Sequence, residues 1–107
     1  MSTPRVKICG LRQFRHAEIA VKSGAELLGF VFVEGVRRQI LPDKAGRITS
    51  GLRTEALKHL SHMPQNVGLF HNQPLGWVRD VINHANLDIV QLTGNEIRPV
   101  LDADEDR

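Results

Sequence analysis

Apolar and polar positions follow one another along the chain in patterns that distinguish strands from helices. The continuous apolar run Leu27-Leu28-Gly29-Phe30-Val31-Phe32 predicts a parallel strand that is buried on both faces. Before it, residues 13–23 have apolar side chains at helical spacing, and Gly24 follows where a helix commonly ends. A strand that directly follows a helix is typical of α/β folds.

The same analysis predicts four strands that alternate with three helices. Strands are expected at residues 5–9, 27–32, 66–70 and 88–92. The second helix is expected to begin at Pro42, and the third to be opened by Pro74, with one apolar stripe made by Leu75, Val78, Ile82 and Ala85. Because connections of this length suit right-handed crossovers, the predicted fold class is α/β with parallel strands, in about four βα units.

Composition narrows the class of protein. The 107 residues are enough for one domain, 41% of them are hydrophobic, and the net charge is only +2. No apolar run approaches the length of a membrane span or forms a signal peptide, and the basic residues are scattered. We therefore expect a cytoplasmic protein that binds neither nucleic acid nor membrane, and the single cysteine agrees with a reducing compartment.

Candidate chemistry lies where strands end. Cys9 follows the first strand, at the edge of a parallel sheet where ligands usually bind, although a lone cysteine is often only a small core residue. Arg38 belongs to a basic doublet that would ordinarily be surface, and His71 follows the third strand. His59 and His62 have metal-ligand spacing but no acidic or cysteine partner nearby, so no metal site is predicted.

Four segments of the chain resemble one family, in order and in spacing. They are Val6-Lys7-Ile8-Cys9-Gly10-Leu11, residues 23–32, residues 66–72 and residues 87–96. Together they are similar to the phosphoribosylanthranilate isomerases, which are TIM-barrel enzymes of tryptophan biosynthesis. The resemblance implies a partial TIM (β/α)8 barrel. Residues 1–97 would be its N-terminal half, and residues 98–107 an acidic tail or the truncated start of a fifth strand.

The resemblance also implies an isomerase that needs no cofactor. Its reaction is an Amadori rearrangement of N-(5-phosphoribosyl)anthranilate to 1-(2-carboxyphenylamino)-1-deoxyribulose 5-phosphate, so the expected partner is a small phosphorylated sugar. By position in the motif, Cys9 would be the general base, and Arg38 would bind the anthranilate carboxylate. Gln91 and Thr93 would be substrate-binding residues.

The sequence departs from the family pattern at several places. Residues 34–38 read Glu-Gly-Val-Arg-Arg where the family usually has Pro-Lys-Ser-Pro-Arg, and Thr93 stands where the family has a histidine. The family's catalytic acid, an aspartate of the sixth strand, and its phosphate-binding glycines lie beyond the aligned region. Val100-Leu101-Asp102 is similar to the acid's strand, which makes Asp102 a weak candidate.

The length leaves more than one function open. A complete (β/α)8 barrel needs roughly 200 residues, so this chain holds about half of one. Four strands alone would leave the interior face uncovered, and we expect pairing with a second copy or with a complementary half-barrel. The alternatives to an isomerase are a non-catalytic half-barrel that acts as a scaffold or partner-binding module, and another phosphate-binding barrel enzyme.

Overall fold

Four parallel strands and three helices alternate along the chain. The structure is a computed structural model that describes residues 6–58 and 63–93. Its elements, in chain order, are β1 (Lys7–Ile8), α1 (Phe14–Lys22), β2 (Leu27–Val31), α2 (Pro42–Lys58), β3 (Gln65–Phe70), α3 (Leu75–Ala85) and β4 (Ile89–Leu92). The predicted α/β class, with its parallel strands, is confirmed. The expected fifth strand and Asp102 lie outside the described residues.

The strands form one sheet in the order β1-β2-β3-β4, so each strand pairs with its neighbour in sequence. Leu28 pairs with Ile8 on one side and with Asn66 on the other, and Leu69 of β3 pairs with Gln91 of β4. Parallel neighbours need a crossover that returns the chain to the same end of the sheet, and each helix provides one. All the carboxyl ends therefore meet at one edge.

The helices cover one face of the sheet, and most of the core lies there. Phe30, Phe32 and Phe70 are completely buried on this face. The rings of Phe32 and Phe70 stack with centroids 5.3 Å apart, and Trp77 of α3 meets Phe70 edge-on at 6.0 Å. Trp77 is thus a packing residue, as its place in the α3 pattern indicates.

The opposite face of the sheet is called the inner face here. Because side chains alternate along a strand, it carries Lys7, Gly29, Val31, Val67, Leu69, Ile89 and Gln91. Val31 and Val67 are buried, whereas Lys7 and Gln91 are exposed. The inner face is thus apolar in the middle strands and polar toward the two edges.

Helix ends follow the turn chemistry of the sequence. Gly24 has a φ of +102°, its N–H donates to the carbonyl of Val21, and the N–H of Ala25 donates to that of Ala20. This pair of bonds is the Schellman motif, which a glycine adopts without steric cost. Helix α2 begins at Pro42, as predicted.

The third helix differs from its prediction in one detail. Pro74 is the N-cap rather than a helical residue, and Leu75 is 36% exposed although it was placed on the apolar stripe. The buried stripe is formed by Val78, Val81 and Ala85. Leu75 is the first residue of the helix, and the buried stripe begins three residues later, at Val78.

Helices α2 and α3 approach each other closely at a buried polar cluster. The Thr49 hydroxyl lies 3.0 Å from the carbonyl oxygen of Ala85 and accepts a hydrogen bond from Asn86 Nδ2 at 3.0 Å. Gly46 makes the approach possible, because a Cβ at this position would collide with the backbone carbonyl of His84. The glycine therefore belongs to the packing although it lies inside a helix.

Replacing Gly46 by alanine should destabilise the fold. Alanine favours a helix over glycine by about 1 kcal/mol, but separating two packed helix backbones costs about 1–3 kcal/mol, so we expect a net loss of up to about 2 kcal/mol. Chemical denaturation would measure it. Gly76→Ala is the matched control, because no atom lies within 4 Å of the added Cβ in α3, and it should stabilise. Equal gains from both substitutions would contradict the close approach.

Candidate active site

Four chain segments meet at the carboxyl edge of the sheet. Cys9 follows β1, the loop of residues 32–41 follows β2, His71 follows β3 and Thr93 follows β4. In sheets of parallel strands this edge is where ligands bind, because the connections there carry side chains out of the packed core. Every site residue predicted on these segments lies at this edge or on the inner face just below it.

Cys9 is exposed at the end of β1 and belongs to the inner face. A Cβ added to Gly29 would point to that face and would lie 2.8 Å from Cys9 Sγ and 3.0 Å from Cys9 Cα. The carbonyl of Gly29 also accepts hydrogen bonds from the N–H groups of Gly10 and Leu11, at 3.0 and 3.1 Å. The thiol is thus held over the one position of β2 that has no side chain.

Arg38 lies beside the thiol's strand. A Cβ on Gly10 would meet the Arg38 side chain, with Cδ at 2.5 Å and Nη1 at 3.1 Å. Gly10 has a φ of +80°, a conformation that favours glycine, and its bare Cα is the surface on which Arg38 packs. The structure therefore brings together two of the predicted residues, Cys9 and Arg38, through the glycine between them.

The loop that carries Arg38 is closed by its own hydrogen bonds. Gly35 N–H donates to Gln39 Oε1 at 3.0 Å, Gln39 N–H donates to the carbonyl of Val36, and Ile40 N–H donates to the carbonyl of Val31. These bonds hold the loop in place of the prolines that the family pattern has there. The loop bounds an open cavity of about 620 Å³ lined by Val31, Val33, Val36, Arg37, Arg38 and Leu69.

Gln91 is tied to a residue for which the sequence predicted no role. Lys7 Nζ donates to Gln91 Oε1 at 2.9 Å, although the two residues stand on the first and last strands of the sheet. The amide N–H donors of Gln91 take no part in this bond. Lys7 is two residues before Cys9, so strand alternation alone places both on one face, and that signal could have identified it.

Thr93 is part of a second polar group, with His71. Its hydroxyl donates to the carbonyl of Phe70 at 2.8 Å, and His71 Nδ1 lies 3.2 Å from the Thr93 hydroxyl oxygen. The hydroxyl hydrogen is thus in use inside the protein, and toward a ligand Thr93 offers only a lone pair. His71 and Gln73 line a neighbouring cavity of about 440 Å³ together with Val33, Glu34, Asn72, Pro74 and Trp77.

Two further searches cover only the part of the chain that the structure describes. Residues 6–58 and 63–93 contain no cluster of three or more histidine, cysteine or acidic side chains that could bind a metal ion. His59 and His62 lie outside these ranges. No helix within them is both long enough and apolar enough to cross a membrane.

Known proteins that are similar to this chain belong to the family that its four segments resemble. Residues 6–105 match the family model described as N-(5'-phosphoribosyl)anthranilate isomerase. The isomerase of Geobacter sulfurreducens is 41% identical over 96% of this chain and 47% of its own length, and that of Saccharomyces cerevisiae is 43% identical over 89% and 42%.

Solved structures agree with this assignment. The crystal structure of the isomerase from Thermotoga maritima superposes with a TM-score of 0.81 and 33% identity, over 98% of this chain and 47% of that one. A second isomerase structure, in complex with reduced 1-(o-carboxyphenylamino)-1-deoxyribulose 5-phosphate, has a TM-score of 0.75 and 35% identity.

The chain spans about half the length of the isomerases that it matches most fully. The match is nevertheless continuous across the four strands and across every segment that forms the carboxyl edge. On these grounds the chain belongs to the phosphoribosylanthranilate isomerase family.

Proposed function

We propose that this chain supplies the general base and the carboxylate-binding arginine of a phosphoribosylanthranilate isomerase. The observation that carries the proposal is the exposed thiol of Cys9 at the carboxyl end of β1, next to the Arg38 side chain that packs on Gly10. The substrate is N-(5-phosphoribosyl)anthranilate, and the product is 1-(2-carboxyphenylamino)-1-deoxyribulose 5-phosphate. The reaction would belong to tryptophan biosynthesis.

The chemistry is an internal redox exchange within the substrate, so it needs no cofactor. A general acid protonates the ring oxygen, the bond from that oxygen to C1 breaks, and the anthranilate nitrogen forms a Schiff base with C1. The thiolate of Cys9 then takes the proton from C2, the C–H electron pair forms the C1–C2 double bond, and the π pair of the C1–N bond returns to nitrogen to give an enol-amine. Ketonisation at C2, with a proton returned to C1, gives the product. A cysteine suits the C2 step because its thiolate is a good proton acceptor at a strand end.

Arg38 is suited to the anthranilate carboxylate. A guanidinium presents a planar set of donors that matches the two carboxylate oxygens. Its cavity of about 620 Å³ is otherwise lined by valine and leucine side chains apart from Arg37, and such a lining favours an aromatic ring. The carboxylate end of the substrate would therefore lie over the loop after β2.

Gln91 and Thr93 are proposed to bind the substrate from the β4 side. Lys7 occupies the amide oxygen of Gln91, so Gln91 would act through its amide N–H donors. Thr93 donates to Phe70, so it would act as an acceptor. The two residues would thus recognise different atoms, a ligand acceptor and a ligand donor.

The site also needs residues beyond those described here. Among residues 6–58 and 63–93, β1 and β4 are each paired on one side only, and the chain covers 47% of the Thermotoga maritima isomerase. We propose that further βα units complete the barrel and supply the general acid and the phosphate site. A complementary half-barrel is the partner that the sheet edges fit, and a second copy of this chain is the other source.

The cytoplasm is the proposed compartment. A cysteine base works only as a free thiolate, and Cys9 is exposed to any oxidant in solution. Cytosolic thiols are kept reduced.

Replacing Cys9 by alanine should abolish catalysis without loss of binding. Loss of a general base lowers kcat/KM by about 10²–10⁴-fold, and Cys9→Ser should be similarly poor because a hydroxyl is a much weaker base. The assay would combine the chain with the remaining half of the Geobacter sulfurreducens isomerase, supplied as a separate polypeptide. Growth of a tryptophan auxotroph that lacks the isomerase gives a second measurement.

Two results would count against this proposal. Activity of Cys9→Ala within about threefold of the unaltered chain would remove the cysteine from the base role. Binding of reduced 1-(o-carboxyphenylamino)-1-deoxyribulose 5-phosphate with no turnover in the combined assay would favour the non-catalytic scaffold.

Replacing Arg38 by lysine should weaken substrate binding. A lysine keeps the charge but loses the two-pronged contact, and one charge-assisted hydrogen bond corresponds to about a tenfold rise in KM. Arg37→Lys is the matched control, since only Arg38 packs on Gly10. Steady-state kinetics on both variants would test this, and an unchanged KM for Arg38→Lys would show that this arginine acts only through its charge.

A further inference from the structure

We propose that His71 binds a hydroxyl group of the sugar through Nε2, and that Thr93 is the residue that holds its imidazole in the required tautomer. This inference rests on the proposed function, because it takes the ligand to be a phosphoribosylated anthranilate. It assigns a role to a histidine that the proposed mechanism does not use and to the Thr93 hydroxyl that faces it.

The hydrogen bonds around Thr93 determine the tautomer of His71. A threonine hydroxyl has one hydrogen, and in Thr93 it is donated to the carbonyl of Phe70 at 2.8 Å. His71 Nδ1 lies 3.2 Å from the same hydroxyl oxygen, and both contacts are satisfied together when Nδ1 carries the imidazole hydrogen. In a neutral imidazole Nε2 is then an acceptor. Asn72 Nδ2, a donor, lies 3.5 Å from Nε2, and a ligand hydroxyl would replace this long contact.

The backbone under His71 is fixed as well. The His71 N–H donates to Gln73 Oε1 at 3.1 Å, and Gln73 Nε2 donates to the carbonyl of Phe32 at 2.7 Å. Gln73 thereby joins the end of β3 to the end of β2. A ring held at both its backbone and Nδ1 loses little freedom when a ligand binds, and this makes its remaining contact more effective.

His71 is also in the right part of the site. It follows Leu69 by two residues and Thr93 follows Gln91 by two, so alternation continues the inner face to both. The His71 cavity of about 440 Å³ and the Arg38 cavity share Val33 as a lining residue. One ligand that extends past Val33 would therefore reach both side chains.

The chemistry of Nε2 selects the sugar end of such a ligand. A lone pair repels a carboxylate or a phosphate but accepts a hydrogen bond from a hydroxyl. Arg38 has the opposite preference, because a guanidinium has only donors. The two cavities would thus orient the substrate, with its carboxylate at Arg38 and a ribose hydroxyl at His71.

The test is nitrogen NMR of the histidine side chains in the full chain, at a pH where the imidazoles are neutral. His71 should show a protonated Nδ1, and Thr93→Val should shift it toward the protonated Nε2 form, whereas Thr93→Ser should not. His84 is an internal standard, because its Nδ1 donates to the carbonyl of Asp80 in α3. When the chain is combined with the remaining half of the Geobacter sulfurreducens isomerase, addition of reduced 1-(o-carboxyphenylamino)-1-deoxyribulose 5-phosphate should move the Nε2 signal of His71 and leave that of His84 unchanged.

Binding affinity gives the second measurement. His71→Asn keeps a donor near Thr93 but removes Nε2, and it should weaken the analogue about three- to tenfold, the value of one hydrogen bond. His84→Asn should have no effect. If the analogue binds with an unmoved His71 signal and an unchanged affinity for His71→Asn, this inference is wrong and the proposed function stands. If the analogue does not bind to the chain even when the remaining half of the Geobacter sulfurreducens isomerase is present, the proposed function fails and this inference fails with it.

Discussion

The contact between Cys9 and Gly29 is the constraint on which the site depends. Residue 29 is the one position of β2 where any side chain would collide with the strand beside it, since an added Cβ would lie 3.0 Å from Cys9 Cα. Its carbonyl accepts two hydrogen bonds from the residues that follow Cys9, so the backbone of β1 is drawn onto it. The missing side chain of Gly29 and the two hydrogen bonds that its carbonyl accepts together fix the position of the Cys9 thiol relative to the sheet.

Two glycines provide the surfaces against which the candidate site residues pack. Gly29 admits Cys9, and Gly10 provides the flat surface for Arg38. The position of the thiol therefore follows from the pairing of β1 with β2. The position of the guanidinium depends in addition on the Arg38 side chain and on the loop that carries it.

The elements and the edge that bears the site were predictable, because their signals are local. Gly24 and Pro42 are positions where backbone chemistry alone determines a helix boundary. The likeness to the isomerases placed Cys9 and Arg38. The pairs Lys7–Gln91 and His71–Thr93 were not predictable, since each joins residues from different βα units and depends on how the sheet curves. Leu75 shows the same limit, because periodicity cannot tell at which residue of a helix the buried stripe begins.

The hydrogen bond between Lys7 and Gln91 has a kinetic consequence. It joins residues 84 positions apart, from the first strand and the fourth. Closing such a long loop is only slightly more costly in entropy than closing a short one, but it has to wait until the intervening units are in place. The hydrogen bond between Lys7 and Gln91 on the inner face would therefore be among the last contacts to form as the chain folds. A nascent chain that has not yet added β4 would have Cys9 in place but would lack Gln91 and Thr93, which are proposed to bind the substrate.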